Sequence, residues 1–210
     1  MTSILKAKIC LITPPSIGKP DLFLIRLNEA LSEGIRFVQY RNKELSKKEA
    51  IRISIRIREL TARYRAIYIV NDDLDIALAS DADGVHLGQK DLPIKEARRL
   101  LGKKRIVGVS THSLNQALEA QKGGADYIGF GSVFASETKS ESVALGTRAL
   151  QGVARGVELP VIAIGGISAP NIQEVFKCGA KGAAVISAVW DQENIQYAVK
   201  TLFEEVRKVI

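Results

Sequence analysis

Residues 66–88 read AIYIVNDDLDIALASDADGVHLG, two short apolar runs, AIYIVN (66–71) and GVHLG (84–88), on either side of a helix-like segment. Runs of this kind, rich in β-branched residues and too short for a helix, occur eight times along the chain. The other six are KICLIT (8–13), RFVQYR (36–41), RIVGVS (105–110), YIGFGS (127–132), PVIAIGG (160–166) and AAVISAV (183–189). Longer amphipathic stretches separate them. The clearest is the last, with Ile195, Val199, Leu202, Phe203, Val206 and Ile210 at helical spacing. An earlier one puts Ile53, Ile57, Leu60 and Tyr64 on one face, behind Ser46 as N-cap with Glu49 three residues on. Strict alternation of strand and helix predicts a parallel sheet with right-handed crossovers. Eight units in about 200 residues suit a closed (β/α)8 TIM barrel at the small end of its range. An open doubly wound sheet usually carries G-x-G-x-x-G after its first strand, where this chain reads LITPPSIGKP (11–20). No linker or charge block divides the chain, so residues 1–210 are expected to form one domain.

Composition fits that expectation. Hydrophobic residues make up 46% and charged residues 25% of the 210, and a domain of this size buries roughly 70% of its unfolded surface without staples. Cys10 and Cys178 lie far apart in apolar segments and read as buried reduced thiols. No apolar run reaches the ~18 residues of a membrane span, and the N-terminal MTSILKAKICLIT lacks a secretory pattern. A cytoplasmic protein with no membrane partner is expected. The net charge of +7 owes much to RISIRIRELTARYR (52–65), which reads as a solvated helix face. Without aromatic interleaving or a recognition motif, a nucleic-acid partner is not expected.

Barrels of this class carry their active sites at the carboxyl ends of the strands. Those ends supply Gln39, Arg41 and Lys43 (strand two), Asn71 and Asp72 (three), Gln89 and Asp91 (four) and Ser110 (five). Strand six leads into ASETKSESVALG (135–146), a polar loop carrying Ser136, Thr138 and Lys139, of a length typical of a lid or binding loop. Gly165 and Gly166 after strand seven, with Ile186 and Ser187 ending strand eight, fall at the usual phosphate-binding corner. Arg41, Lys43 and Lys139 converge as an anion site, whereas Asp72 and Asp91 would repel the same anion. A hard divalent cation bridging carboxylate and phosphate oxygens reconciles them, and Mg²⁺ is typically held by one or two carboxylates plus substrate oxygens and water. A structural ion-pair cluster at the rim is the other reading of these charges. His86, mid-strand, reads as a satisfied core or rim histidine. His112, after strand five, reads equally as a proton-transfer or a packing group.

VQYRNK, IVNDDLDIALASDADGVHLGQKDLP, GVSTHS, GADYIGFGSVF, ETK, VIAIGGI and AVISA occur in this order over nearly the whole chain, which resembles the thiamine-phosphate synthases. The resemblance implies joining a pyrimidine methyl diphosphate to a thiazole phosphate, giving thiamine phosphate and diphosphate. It implies that Gln39 holds the aminopyrimidine and that Arg41, Lys43, Asn71 and Lys139 bind the diphosphate. It further implies Mg²⁺ on Asp72 and Asp91, and Ser110 on the pyrimidine substrate. Ser136, Thr138, Gly166, Ile186 and Ser187 would line the thiazole-phosphate site, and the intervening Tyr40, Asn42 and Glu137 join the substrate-binding set. After strand six the chain has GSVFASETK, with Ser132 and Ala135 where the family commonly has prolines and Ser136 where it has threonine. The related thiazole tautomerases share the barrel and the histidine after strand five, but make no use of a diphosphate. A catalytically silent regulatory barrel is the rival from outside enzymology, and a homodimer is left open.

Overall fold

The computed structural model describes residue 4, residues 6–135 and residues 143–210. Eight parallel strands close into a barrel in sequence order, β1 pairing with β8. The strands are β1 (Ile9–Ile12), β2 (Phe37–Tyr40), β3 (Ile67–Asn71), β4 (Gly84–Leu87), β5 (Ile106–Thr111), β6 (Tyr127–Phe130), β7 (Val161–Ile164) and β8 (Gly182–Val185). Seven crossover helices join them: α1 (Pro20–Ser32), α2 (Lys47–Arg63), α3 (Leu74–Ala79), α4 (Ile94–Leu101), α5 (Leu114–Lys122), α6 (Gly146–Gly156) and α7 (Ile172–Lys177). After β8 come a one-turn helix, α8 (Ser187–Trp190), and the long α9 (Ile195–Arg207). The barrel predicted from the eight runs is therefore the fold.

The last apolar run needs correction. AAVISAV reads as strand to Ser187, but β8 ends at Val185 and Ser187 opens α8. An apolar run has no period that separates a strand from the helix it enters. Here the break falls at Ile186, whose backbone (φ −127, ψ −84) leaves the extended region.

Because strand side chains alternate, each strand feeds two cores. One lies inside the barrel and includes Cys10, Ile12, Phe37, Ile67, Ile69, Tyr127, Ile162 and Ala184. The larger one lies between strands and helices, where Leu11, Val38, Tyr40, Tyr68, Val85 and Val109 meet Leu27, Ile57, Val199 and Leu202. The helices seat as their patterns predict. Ser46 and Glu49 form a reciprocal capping box at the start of α2, and Ile195, Val199, Leu202 and Val206 are buried on α9. Arg52, Arg63 and Arg65 are exposed, while Arg56 and Arg58 pair with Asp21 and Asp83. Among the described residues no helix is long and apolar enough to cross a membrane.

Two matching clamps fix the amino-terminal end of the barrel. Asp83, just before β4, accepts from the Tyr68 backbone N–H (2.8 Å) and from Arg58 (3.1 Å). Asp126, just before β6, accepts from the Val107 N–H (2.8 Å) and from Arg98 (2.7 Å). Each aspartate ties the start of its own strand to the preceding strand and to a helix on the outer layer.

Candidate active site

At the carboxyl end of the barrel a cavity of about 410 Å³ runs into the interior. The inward residues of successive strands line it: Cys10 and Ile12, Gln39, Asn71, His86, Ser110, Tyr127 and Gly129, Ile162 and Ile164, and Ala184. Arg41, His112, Gly165, Gly166, Ile186 and Ser187 form its rim. Beside it a more open pocket of about 320 Å³ is lined by Asn42, Lys43, Lys47, Asp72, Asp73 and Asp91, among others.

Gln39 points inward from β2 and is buried. Arg41 follows at the same parity, and the Thr13 hydroxyl grips its backbone, accepting from the Arg41 N–H and donating to its carbonyl, both at 2.9 Å. Thr13, fully buried at the end of β1, carries no charge or motif that marks it in the sequence as part of the site. Lys43 departs from the expected alternation. β2 ends at Tyr40, the chain turns, and the Lys43 ammonium reaches Asp72 (3.2 Å) in the neighbouring pocket. Asn42 shapes that turn, its side-chain oxygen accepting from the Leu45 N–H at 3.0 Å.

Tyr40 is a correction. Alternation sends its ring outward into the layer between strands and helices, where it is buried and lines neither cavity. Its place among the substrate-binding residues came from its position in the motif. Its direction is that of a core residue.

Asn71 and Asp72 are neighbours, and in an extended chain they would face opposite ways. Asp72 instead adopts φ +63 while its N–H continues the β3–β4 ladder to the His86 carbonyl (2.8 Å). Aspartate tolerates this left-handed conformation better than most residues. The turn lets Asn71 face the cavity and Asp72 the rim pocket. Asp91 arrives from the loop after β4, where its carboxylate accepts from the Gly88 N–H at 2.6 Å. Partial burial and the neighbouring Asp91 carboxylate push Asp72 up, with Lys43 opposing. The hydrogen bond from Asp72, with that from Gly88, holds Asp91 down. Asp72 therefore holds a proton to higher pH than a lone carboxylate, and Asp91 loses its proton at lower pH. Among the described residues no group of three or more His, Cys, Asp and Glu is placed to hold a metal, so any cation here would take its remaining ligands from substrate or water.

Deeper in, His86 bridges Tyr127 (Nδ1 to the hydroxyl, 2.9 Å) and Ser110 (Nε2 to Oγ, 2.9 Å). Burial draws the imidazole down to about 4, so it is neutral at physiological pH. His86 was expected to be satisfied within the barrel, and it is. Tyr127 was not anticipated, although a signal for it existed: Gly108 and Gly129 stand at inward positions of β5 and β6. A Cβ on Gly108 would lie 2.1 Å from the Tyr127 ring, and one on Gly129 would lie 3.0 Å from His86. Gln89 ties the loop after β4 to β5 through the Ser110 carbonyl (2.7 Å).

On the opposite wall Gly165 (φ +100) and Gly166 (φ +61) turn the chain after β7. The loop leaving β6 packs on this turn, with Val133 N–H on the Ile164 carbonyl (2.8 Å) and Phe134 N–H on that of Gly165 (3.1 Å). A Cβ on Gly166 would meet the Ala135 carbonyl at 2.2 Å. Residues 132–135, with serine and alanine where prolines are common in the family, are thus tied to β7 by backbone hydrogen bonds. Ser136, Glu137, Thr138 and Lys139 lie outside the described residues. His112 places Nδ1 2.5 Å from the Gly131 carbonyl, and the helix cap beside it is Ser113.

A closed parallel barrel with a polar-floored cavity, two glycines after β7, a short helix after β8 and a mixed acid–base rim defines a (β/α)8-barrel enzyme with its site at the carboxyl face. The comparisons with known proteins narrow that class. The family described as "Thiamine monophosphate synthase" matches residues 9–189. A thiamine-phosphate synthase of Chlorobium phaeovibrioides is 46% identical over 201 residues, spanning 95% of this chain and 94% of the relative. That of Clostridium acetobutylicum is 37% identical over 201 residues, spanning 96% and 95%. A solved thiamine phosphate pyrophosphorylase from Pyrococcus furiosus superposes with TM-score 0.89 at 39% identity, covering 99% of this chain and 98% of that one. The chain belongs to the thiamine-phosphate synthase family, transferases of thiamine biosynthesis.

Proposed function

We propose that the chain transfers a 4-amino-2-methylpyrimidin-5-ylmethyl group from its diphosphate to the nitrogen of a thiazole phosphate, with Mg²⁺ held at Asp72 and Asp91. One juxtaposition carries this reading. A polar-floored cavity continues along the chain, through Arg41–Asn42 and Asn71–Asp72, to a rim where the Asp72 and Asp91 carboxylates line one pocket with Lys43. Two adjacent acids at a basic rim are costly alone and suit a hard cation. When bound, Mg²⁺ would neutralise charge on the diphosphate. On this reading Gln39 and Ser110 hold the pyrimidine, Arg41, Lys43 and Asn71 hold the diphosphate, and Gly166, Ile186 and Ser187 receive the thiazole phosphate.

The bond-making step follows from which groups are present. Cys10 lines the cavity, but burial pushes its thiol far above the usual range, which removes the thiolate a nucleophile requires. The rim supplies positive charge instead, suited to an anion that departs with the electron pair of the methylene C–O bond. The electron-rich aminopyrimidine carries the complementary positive charge, and the thiazole nitrogen lone pair then closes the new C–N bond. Replacing the pyrimidine methyl by trifluoromethyl should slow single-turnover chemistry by orders of magnitude while binding weakens far less. A slowing below about tenfold, roughly 1.4 kcal/mol of barrier, would favour direct displacement. Titration calorimetry with pyrophosphate tests the site itself: binding should strengthen markedly with Mg²⁺, and equal affinity with and without the metal refutes the assignment of Asp72 and Asp91.

A further inference from the structure

His86 engages both ring nitrogens inside the barrel, yet it touches none of the groups assigned to diphosphate or metal through its side chain. A neutral imidazole carries one N–H, so the chain Tyr127–His86–Ser110 has two possible directions. If Nδ1 bears the proton, it donates to the Tyr127 oxygen and Ser110 must donate to Nε2, leaving Ser110 only lone pairs for a ligand. If Nε2 bears the proton, Tyr127 donates to Nδ1, Nε2–H donates to the Ser110 oxygen, and the Ser110 proton is free to face the cavity.

The surroundings of Tyr127 select between these. The residue is buried, and among the described residues its hydroxyl has one hydrogen-bond partner, the His86 Nδ1. The buried phenol proton needs an acceptor, and the His86 Nδ1 stands 2.9 Å away. The reverse direction would strand the phenol proton, at the cost of a buried unsatisfied donor. The space for this relay is reserved by the glycines at 108 and 129.

We propose that His86 is a positioning residue that fixes a one-way relay, Tyr127 to His86 to Ser110, so that Ser110 presents its hydroxyl proton to a ring nitrogen of the bound heterocycle. The last step rests on the reading of this cavity as the pyrimidine site; the direction of the relay does not. Ser110 is thereby a donor that discriminates a heterocycle with an acceptor nitrogen from one bearing N–H or C–H at that position.

The relay is read directly by ¹⁵N spectra of histidine-labelled, ligand-free protein at neutral pH. His112→Gln removes the second imidazole and leaves the His86 signals alone. The expected pattern is a protonated Nε2 and an unprotonated Nδ1. The opposite tautomer, or a ring protonated on both nitrogens, overturns the proposal whatever the substrate is. Kinetics supply the second arm. Tyr127→Phe keeps the ring and removes the donor, and should raise KM for the pyrimidine diphosphate roughly tenfold with KM for the thiazole phosphate unchanged. His86→Gln, which retains a donor toward Ser110, should keep more activity than His86→Leu. Equal rates for Gln and Leu, or parallel changes in both KM values, overturn the positioning role. Absence of turnover by the wild-type protein would refute the proposed substrates and leave the tautomer result standing.

Discussion

Replacing Asp126 by alanine should cost stability without touching chemistry. The carboxylate accepts from the Val107 N–H at 2.8 Å and from Arg98 at 2.7 Å. A hydrogen bond to a charged group contributes about 1.5–3 kcal/mol, and water can reach the Val107 N–H in the variant because the Asp126 side chain is 33% exposed, which places the loss at the lower end. The ion pair adds at most about 1 kcal/mol at this exposure. Arg98 keeps backbone acceptors at Arg105 (2.6 Å) and Gly124 (2.9 Å), so no cation is stranded. The expected destabilisation is about 2–3 kcal/mol, or roughly 4–12 °C in Tm for a chain of this size. Urea unfolding and thermal melts measure it, and turnover at 25 °C should stay within about twofold of wild type because the clamp lies at the end of the barrel away from the site. Asp126→Asn, which keeps an acceptor, should lose about half as much. A loss below about 0.5 kcal/mol would show that the clamp only decorates the barrel end. A large fall in activity with stability unchanged would break the separation of the two ends.

Asp72→Asn and Asp91→Asn should each abolish Mg²⁺-dependent turnover while stability stays within about 1 kcal/mol; activity in EDTA equal to wild type sinks the metal assignment. Asp72 is raised by burial and Asp91, so the ligand-free pair keeps a proton to higher pH than a lone carboxylate. A cation must displace that proton, hence Mg²⁺-coupled pyrophosphate binding should weaken as pH falls through the raised value, and calorimetry in buffers of different ionisation enthalpy should register proton release. No release in mildly acid buffer contradicts the raised Asp72. Gly108→Ala drives a Cβ to 2.1 Å from the Tyr127 ring and should cost about 1–3 kcal/mol together with pyrimidine affinity; a neutral variant would mean that Tyr127 can move aside freely.

The barrel was legible because its signal is repetitive: short apolar runs alternate with amphipathic segments, and the alternation itself fixes the topology. Most rim residues followed from reading strand ends. Lys43 and Asp72 show where that reading stops, since the turn after Tyr40 and the left-handed backbone at Asp72 redirect side chains that a regular extended chain would aim elsewhere. Tyr40 carries the converse lesson, because adjacency within a motif says nothing about which face a side chain takes. The interior was the least legible part. Tyr127 and His86 sit in runs that look like ordinary buried strand, and only the inward glycines Gly108 and Gly129 betray the room they need.

A second set of glycines decides where this enzyme can be re-engineered. A Cβ at Gly131 would collide with the Ile164 carbonyl at 1.9 Å, one at Gly165 with the Ser132 hydroxyl at 2.0 Å, and one at Gly166 with the Ala135 carbonyl at 2.2 Å. At these three positions the cavity wall has no room for a side chain, so they cannot be used to narrow it. The adjustable wall is the arc of Ile12, Ile162, Ile164 and Ala184, whose side chains face the same space. A library seeking to admit a bulkier heterocycle should therefore vary β1, β7 and β8 and leave the glycines alone. Trimming isoleucine to valine there opens space one methylene at a time, at about 0.5–1.5 kcal/mol per step.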